Sequence, residues 1–363
     1  SGFIVAGHAR LAAAPELGLD SAPVNFQSFE TEAEEHAHLV ADNRIAELAE
    51  IDRDDLAGLL REMEGEIDLE LAGFDSVSLD ELIGGGDGDP VDAEPQVGKA
   101  DELAGKWGTK LGQVWELGEH RLVCGDSREL DLAKFAGGGC FSFTSPPYNI
   151  GHAGKLSGNM AASNRANLYE DFNDCQTPDE WRDLVDRSIQ NLLKVSAAAC
   201  VNVQILAGNK IALIEWIHNI RDQLIDVAIW NKGHGPPHVH ESIMGSCFEF
   251  LFFLSPEKNP SKVIPTANFQ GTIQNVFNSP GQKFNEFASV HGATFPTSLA
   301  EWVVGSFSTG QTVVDPFIGT GTTLIACENL GRKCCGVDIS PSYIAVTIER
   351  WHEATGKEPK LIG

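Results

Sequence analysis

Short apolar runs alternate with longer amphipathic stretches through residues 110–363. Runs rich in β-branched and aromatic residues predict strands, and apolar residues at every third or fourth position predict helices. The predicted strands are 113–117, 120–124, 141–143, 199–206, 225–230, 247–254, 312–314 and 335–338, and the predicted helices are 130–135, 178–194, 211–221, 297–307, 324–330 and 341–355. This alternation predicts an α/β domain with a largely parallel sheet.

The N-terminal part of the chain follows a different pattern. Residues 3–6 predict a strand, Gly7 predicts a turn, and several amphipathic helices follow before residue 83. Residues 84–95 are rich in Gly, Asp and Pro without any period, which is typical of a linker. We predict a small α+β segment at 1–83, a flexible linker at 84–105 and a large domain at 106–363. Because the chain opens inside a predicted strand, we expect its true N-terminus to be missing.

Cysteine spacing and hydropathy narrow the class of protein. The eight cysteines are scattered without a Cys-x-x-Cys pair, which favours reduced thiols over a disulfide framework. Apolar runs stay below the roughly 18 residues of a membrane helix, and no charged-then-apolar leader is seen. We therefore expect a cytoplasmic protein with no membrane association.

A glycine-rich turn stands at residues 315–323, which read Asp-Pro-Phe-Ile-Gly-Thr-Gly-Thr-Thr. It lies between a predicted strand and a predicted helix, so its glycines allow close approach of a ligand. The helix start adds free N–H groups and a positive dipole end. The next strand ends in Asp338 about 20 residues on, a spacing at which an acid binds ribose hydroxyls. This order predicts half of an adenosine-cofactor pocket.

A second motif reads Ser145-Pro146-Pro147-Tyr148 and follows the predicted strand 141–143. The prolines stiffen the backbone and remove two N–H donors, so nearby carbonyls can face a pocket without competition. The tyrosine adds a flat face. These features together predict a site for a planar group that carries an amine. An ordinary proline turn at the end of a strand is the alternative.

Taken together, the two motifs resemble those of the DNA amino-methyltransferases, which transfer a methyl group from S-adenosylmethionine to N6 of adenine or N4 of cytosine. Their order is similar to the permuted beta-type members, over roughly residues 117–356. The resemblance implies a Rossmann-like, seven-stranded methyltransferase sheet, circularly permuted. It also implies base flipping, with Tyr148 stacked on the base and with the Ser145 side chain and the Pro146 carbonyl accepting from the amine. No metal is required.

The resemblance also assigns site residues. The implied catalytic residues are Ser145, Pro146, Pro147 and Tyr148, and the implied cofactor-binding residues are Asp126, Phe295, Asp315, Phe317, Gly319, Gly321, Thr322, Thr323 and Asp338. Asp338 is expected at the ribose, Asp126 at the adenine and the glycine loop at the methionine part. Asp126 can equally be the N-cap of the helix near 130–135, and both roles can hold.

Two polar regions are the expected DNA contacts, residues 151–170 and 231–290. The candidate DNA-binding residues within them are Lys155, Arg165, Lys232, His234, Lys262 and Lys283. A disordered loop is the alternative for the first region, and a plain surface insertion for the second. His238, His240 and Glu241 lack a second ligand pair at zinc spacing, and we expect no metal there.

Charge is unevenly spread. Residues 1–100 hold 24 of the 52 acidic and 5 of the 26 basic residues, a net charge of −19, which leaves −7 for the remainder. Phosphate binding depends on Lys and Arg, so we expect weak, salt-sensitive binding of double-stranded DNA or a basic groove confined to the C-terminal domain. The acidic segment can bind a partner protein, and a homodimer is left open.

The target base and a rival function remain alternatives. Ser before Pro-Pro-Tyr is commoner in cytosine-N4 members of the family, which favours cytosine N4 over adenine N6. Residues 1–83 resemble a truncated ParB/sulfiredoxin-like domain, in which His8 and Arg10 match a phosphate-contacting turn. A ParB-like DNA- or nucleotide-binding adaptor with an inactive methyltransferase domain is therefore the rival hypothesis, and RNA or protein methylation is a third.

Overall fold

The computed structural model describes residues 91–149, 176–233, 244–269, 271–279 and 295–363, together with scattered positions between residues 21 and 34. The chain divides into two compact units, 1–84 and 85–363. The elements predicted for 1–83, with His8 and Arg10, lie outside the described residues. So do the loop 151–170 and the histidine-rich loop that contains His234.

The helices and strands of the second unit follow the predicted alternation. The helices are α1 (Ala100–Trp107), α2 (Ala133–Ala136), α3 (Pro178–Leu193), α4 (Lys210–Ile220), α5 (Thr297–Phe307), α6 (Thr322–Asn329) and α7 (Pro341–Thr355). The strands are β1 (Val114–Leu117), β2 (His120–Cys124), β3 (Cys140–Thr144), β4 (Ser196–Val203), β5 (Leu224–Asn231), β6 (Phe248–Leu254), β7 (Val276–Asn278), β8 (Val313–Asp315), β9 (Cys334–Asp338) and β10 (Lys360–Leu361).

All the described strands belong to one sheet, in the order β10-β1-β2-β9-β8-β3-β4-β6-β5-β7. The five neighbours β2, β9, β8, β3 and β4 are parallel. The prediction of a largely parallel sheet was wrong beyond β4, because β6 runs antiparallel to both β4 and β5. The apolar run of β6 was taken as typical of a parallel sheet, but burial on both faces gives an antiparallel strand the same composition.

The count of seven strands was also too low for the described sheet, which has ten. The additional strands are short and lie at the edges. At one edge β1 pairs with β2 through a turn at Gly118, and the C-terminal β10 pairs with β1. At the other edge β7 pairs with β5, within a region predicted to be irregular. Each short strand satisfies backbone groups that an edge would leave open.

Helices cover both faces of the sheet. One core contains Phe141 and Phe143 of β3 with the buried faces of α5, α6 and α7. The other contains Trp181 of α3 and Trp216 of α4, both fully buried as the apolar periodicity predicts. Consecutive side chains of a strand point to opposite faces, so Cys334 belongs to the first core and Cys335 to the second.

Residues 91–105 are not the flexible linker that composition predicted. Val91 N donates to Asn329 Oδ1 at 2.9 Å, and α1 buries Leu103 against α7. Lys106 at the end of α1 forms a 2.7 Å ion pair with Glu349. Gly and Pro raise the chain's freedom only where no partner exists, and here α6 and α7 provide partners that lie over 230 residues away in sequence.

The described cysteines are free thiols, and only Cys247 among them is less than fully buried. Burial raises the pKa of Cys140 and of Cys200 and brings that of Cys335 to about 12. Within the described residues no helix has the length and apolar character needed to cross a bilayer.

Candidate active site

Both sequence motifs line one cavity at the carboxyl edge of the parallel strands. Ser145, Pro146 and Pro147 follow β3, and Phe317 and Gly319 follow β8. The cavity encloses about 1160 Å³, part of it open to solvent. The other predicted site residues in its wall are Asp126, Phe295, Thr322 and Asp338. Residues from four strand ends therefore meet, as expected for a ligand site in an α/β sheet.

The glycine loop between β8 and α6 adopts a backbone that needs glycine. Gly319 has φ +53°, and a Cβ placed there would meet only Phe317 O at 3.9 Å, so the backbone is open to the cavity. Gly321 has φ +83°, and its Cβ would come within 2.8 Å of Thr347 Cγ2. The Thr347 hydroxyl donates to Gly319 O at 2.8 Å. The first glycine thus opens the wall and the second lets α7 support it.

Three predicted cofactor residues stand behind the cavity wall. Asp315 is buried, and its carboxylate accepts from Thr144 Oγ1 at 2.6 Å, Thr323 Oγ1 at 2.7 Å and Phe317 N at 3.0 Å. Burial raises the pKa of Asp315 to about 6, opposed by these hydrogen bonds. Asp315 and Thr323 therefore join β3, β8 and α6 into a frame, while Gly321 provides the space for α7.

Two acids face the cavity with different partners. Asp338 accepts from Gly319 N at 3.1 Å and from Ser340 N at 2.9 Å, which fixes its carboxylate beside the glycine loop. Asp126 pairs with Arg128 at 2.6 Å and also accepts from Arg128 N at 2.9 Å. The hydrogen bonds from Arg128 lower the pKa of Asp126 against the effect of burial. Asp126 thus caps the local turn and lines the cavity at once.

The proline motif is held rigidly by the helices behind it. Trp181 Nε1 donates to Pro147 O at 2.6 Å, and Asn209 Nδ2 donates to Tyr148 O at 3.2 Å. Asn149, at φ +59°, exchanges two 2.9 Å hydrogen bonds with the backbone of Gln176. A left-handed Asn persists where such contacts outweigh its cost. The orientation of Ser145 toward the cavity is therefore fixed by the fold.

Tyr148 is not the open, flat face that the sequence predicted. Its side chain is 3% exposed, and its hydroxyl lies 2.6 Å from Glu249 Oε2, 3.0 Å from Asn202 Oδ1 and 3.0 Å from Ser145 Oγ. Burial, followed by the charge of Glu249, raises the pKa of Tyr148 well above its usual range. In this structure the tyrosine is a buried hydrogen-bonding partner of Ser145.

The described DNA-binding candidates are both paired with acids. Lys232 Nζ lies 2.9 Å from Glu249 Oε1 with its side chain largely buried, so the prediction that it faces phosphate was wrong for this conformation. Lys262 is exposed and pairs with Asp226 at 3.1 Å. A lysine turned inward satisfies a buried carboxylate that would otherwise be costly. Lys155, Arg165, His234 and Lys283 lie outside the described residues.

Some cavity residues were missed by the sequence reasoning. They include Arg128, Gln176, Ile339 and Tyr343. Arg128 carried a signal, since it follows Asp126 by two residues. Gln176 carried none, yet among the described residues its buried Oε1 has no hydrogen-bond partner. Glu249, beneath the motif, was signalled as the single acid in an otherwise apolar strand.

A three-layered α/β unit with a glycine loop, a paired acid and an amine-accepting motif at one sheet edge defines a nucleotide-cofactor transferase fold. A family model described as DNA methylase, N6_N4_Mtase, matches residues 141–349. That is more than half of the chain, and the chain therefore belongs to this DNA methylase family, whose members are S-adenosylmethionine-dependent DNA methyltransferases.

Individual relatives are distant. Type II methyltransferase M.Cfr9I of Citrobacter freundii is 28% identical over 126 residues, 34% of this chain and 42% of that protein. M.SmaI of Serratia marcescens is 28% identical over 134 residues, 34% of this chain and 44% of that protein. This chain thus spans less than half the length of these relatives. The DNA modification methylase TTHA0409 of Thermus thermophilus, complexed with S-adenosyl-L-methionine, aligns at TM-score 0.46 and 23% identity, covering 66% and 96% of the two chains.

Proposed function

We propose that the chain is a site-specific DNA methyltransferase that methylates the exocyclic amine of a base flipped out of double-stranded DNA, with cytosine N4 favoured over adenine N6. One observation carries the proposal: Ser145 to Pro147 and the glycine loop line the same cavity. A methyl donor held by the loop and an amine held by the proline motif would therefore be adjacent, and placement of this kind supplies much of a rate enhancement.

The cavity fits S-adenosylmethionine. Asp338, fixed by two backbone donors, keeps further lone pairs for ribose hydroxyls. Phe295 packs edge-on against Phe143 at 5.1 Å and offers an apolar wall, and Gly319 leaves its backbone uncovered. Asp126 and Arg128 supply an acceptor and a donor at the far side. When bound, the cofactor supplies an electrophilic methyl group on a cationic sulfur.

The hydroxyl of Ser145 is ordered from beneath. Tyr148 Oη donates its single proton to the nearer acceptor, Glu249 Oε2 at 2.6 Å. The Ser145 proton can then go inward to Tyr148 Oη at 3.0 Å or to Asn202 Oδ1 at 3.3 Å. Either choice leaves lone pairs of Ser145 Oγ free toward the cavity. Ser145 is thereby prepared to accept a hydrogen bond from an amine, not to donate one.

The chain's own part in the reaction follows from that order. Ser145 Oγ, with the Pro146 carbonyl, would accept both protons of the incoming amine and turn its lone pair toward the donor. The same oxygens stabilise the positive charge that develops on the amine. Burial of the network excludes water from these hydrogen bonds and strengthens them. Base flipping is required because the amine of a stacked base cannot reach the cavity.

The choice of cytosine N4 is the finer part of the proposal. A neutral serine, assisted through Tyr148, is the acceptor here, and serine in this motif is commoner among cytosine-N4 enzymes. Mass spectrometry of nucleosides from treated DNA distinguishes N4-methylcytosine from N6-methyladenine. Detection of N6-methyladenine alone would replace the target base without changing the reaction type.

The decisive experiment compares wild type, Ser145→Ala and Ser261→Ala with labelled S-adenosylmethionine and mixed-sequence plasmid DNA. Ser261 is an exposed serine away from the cavity and serves as the matched control. We expect Ser145→Ala to lose methylation by at least about a hundredfold, in the range of a lost oxyanion-type contact, while calorimetry shows unchanged cofactor binding. Equal activity of all three proteins would show that the pocket is misassigned.

The same assay separates the rival function. An adaptor with an inactive methyltransferase domain would bind DNA but leave it unlabelled in the wild-type protein. Circular permutation, a ParB-like segment at 1–83, a partner protein on the acidic segment and a homodimer all remain parts of the proposal. They are supported by the motif order and by the concentration of acidic residues before position 100.

A further inference from the structure

A buried arginine stands directly behind the glycine loop. Arg350 of α7 is 3% exposed, and its Nη1 donates to Thr320 O and to Thr322 Oγ1, each at 3.1 Å. Thr320 and Thr322 both line the cavity. The guanidinium therefore fixes the loop from the side opposite the ligand, through two hydrogen bonds that carry full charge.

The partner of this arginine comes from the segment before the domain's first helix. The Asp92 carboxylate accepts from Arg350 Nε at 3.0 Å and from Nη2 at 3.1 Å. Thr297 Oγ1, at the start of α5, donates to Asp92 Oδ2 at 2.9 Å. Phe295 of the cavity wall lies two residues earlier. One carboxylate thus links the glycine loop to the start of α5.

Further contacts hold Asp92 in place. Val91 N donates to Asn329 Oδ1 at 2.9 Å on α6, and Gln96 Nε2 donates to Glu353 Oε1 at 2.7 Å on α7. Asp92 and Arg350 both fall outside residues 141–349, the part of the chain that the methylase family model matches. The loop is therefore supported by residues that the family match does not include.

The charge balance makes this support necessary. Burial lowers the pKa of Arg350, and the Asp92 carboxylate opposes that effect. Among the described residues, Asp92 is the acid that pairs with Arg350. A buried cation left without its partner draws in water or changes its position. Loss of the Asp92 charge should therefore release the Arg350 side chain from Thr320 and Thr322.

We propose that Asp92 is a positioning residue for methyl-donor binding: through Arg350 it holds Thr320 and Thr322 in the conformation that receives S-adenosylmethionine. The affinity for the donor then depends on a segment that lies before the methylase core. The identity of the ligand rests on the proposed function, whereas the support of the loop does not.

The test uses Asp92→Asn in the full chain, with Glu102→Gln as a charge-matched control on the exposed face of α1. We expect Asp92→Asn to raise the Kd for S-adenosylmethionine in calorimetry about 5- to 100-fold, the usual size of coupling between sites. At saturating donor, kcat and the KM for DNA should stay near wild type. Asp92→Glu, which restores the carboxylate, should recover part of the affinity, and Glu102→Gln should bind as wild type.

A second readout needs no ligand. Hydrogen exchange of the free protein should increase in residues 317–323 for Asp92→Asn and not for Glu102→Gln. The paired variant Asp92→Asn/Arg350→Met removes both charges, so it is expected to fold while still losing donor affinity. Wild-type affinity and wild-type exchange in either variant would overturn the inference. If wild type fails to bind S-adenosylmethionine, the proposed function fails, and the exchange comparison still decides the role of Asp92.

Discussion

At the scale of single residues, the site is built on a buried acid that touches no cavity space in the described wall. Glu249 orders Tyr148, and Tyr148 orders Ser145, so a carboxylate two hydroxyls away sets which way the serine proton points. Lys232 balances the charge of Glu249 at 2.9 Å. A fully satisfied buried network of this kind specifies one geometry.

Removal of the tyrosine hydroxyl tests this order. Tyr148→Phe leaves Ser145 with Asn202 as its inner partner at 3.3 Å, and we expect kcat to fall about 10- to 100-fold, as for a weakened electrostatic contact. Glu249→Gln should give a similar loss, and the double variant should lose little more than either single one. Multiplying losses in steady-state assays would show that the two residues act independently.

Asp315 makes a pH-dependent contribution to stability. Its folded pKa of about 6 exceeds the unfolded value of 3.8, so between about pH 4 and 6 the native state binds a proton that the unfolded state lacks. Stability from this group is therefore lost as pH rises through about 6. The difference in unfolding free energy between wild type and Asp315→Asn should shift by about 2–3 kcal/mol, in favour of Asn, from about pH 4 to 7. Parallel urea-denaturation curves would contradict this.

At the scale of elements, α7 supports the parallel sheet at two places. Near its middle Thr347 holds the glycine loop. In its last turns Trp351 Nε1 donates to Glu328 Oε2 of α6 at 3.0 Å, and His120 Nε2 of β2 lies 2.7 Å from the same carboxylate oxygen. The helix thus connects the cavity wall to the opposite end of β2.

Glu328 should carry acid-sensitive stability. Hydrogen bonds, first from His120 and then from Lys357 and Trp351, lower its pKa from 4.5 to about 2. This stability is present above the unfolded pKa and is lost as pH falls through about 2. Glu328→Gln should cost about 2–3 kcal/mol near neutral pH, measured by urea denaturation. The exposed Glu358→Gln is the control, and an equal cost for both would rule out the network as the cause.

The glycine loop gives a steric prediction. Gly321→Ala places a Cβ 2.8 Å from Thr347 Cγ2 at φ +83°, which costs about 1–2 kcal/mol for the backbone alone. We expect cofactor binding to fall at least about tenfold, the equivalent of about 1.4 kcal/mol. Gly321→Ala/Thr347→Ser removes the clashing methyl and keeps the hydroxyl, so partial recovery of the calorimetric affinity is expected. A double variant that binds worse than the single would contradict the steric explanation.

At the scale of the whole molecule, local patterns predicted the strand ends that carry the chemistry, since strands, turns and helix starts are encoded by neighbouring residues. The capping box of Thr177 and Glu180 placed the start of α3. Pairings distant in sequence were not predictable in this way. The antiparallel β6, the inward turn of Lys232, and the Asp92–Arg350 pair, 258 residues apart, depend on which elements become neighbours in space.

The charge distribution predicts the behaviour of the molecule toward DNA. The chain carries −26, and cations such as Lys232, Lys262 and Arg128 already pair with acids. We expect the slope of log K against log salt to correspond to only about two to four released counterions. Fluorescence anisotropy with a duplex between about 50 and 200 mM salt measures it. A slope near about ten would require a basic surface that the described residues do not have.

The paired cysteines of β9 have a practical consequence. Cys334 and Cys335 point into cores on opposite faces, and both are shielded from attack. A small alkylating reagent can reach either one only when strands separate. Their labelling rate, followed by mass spectrometry, would report the opening of the two layers independently, and an unequal rate would reveal which side of the molecule loosens first.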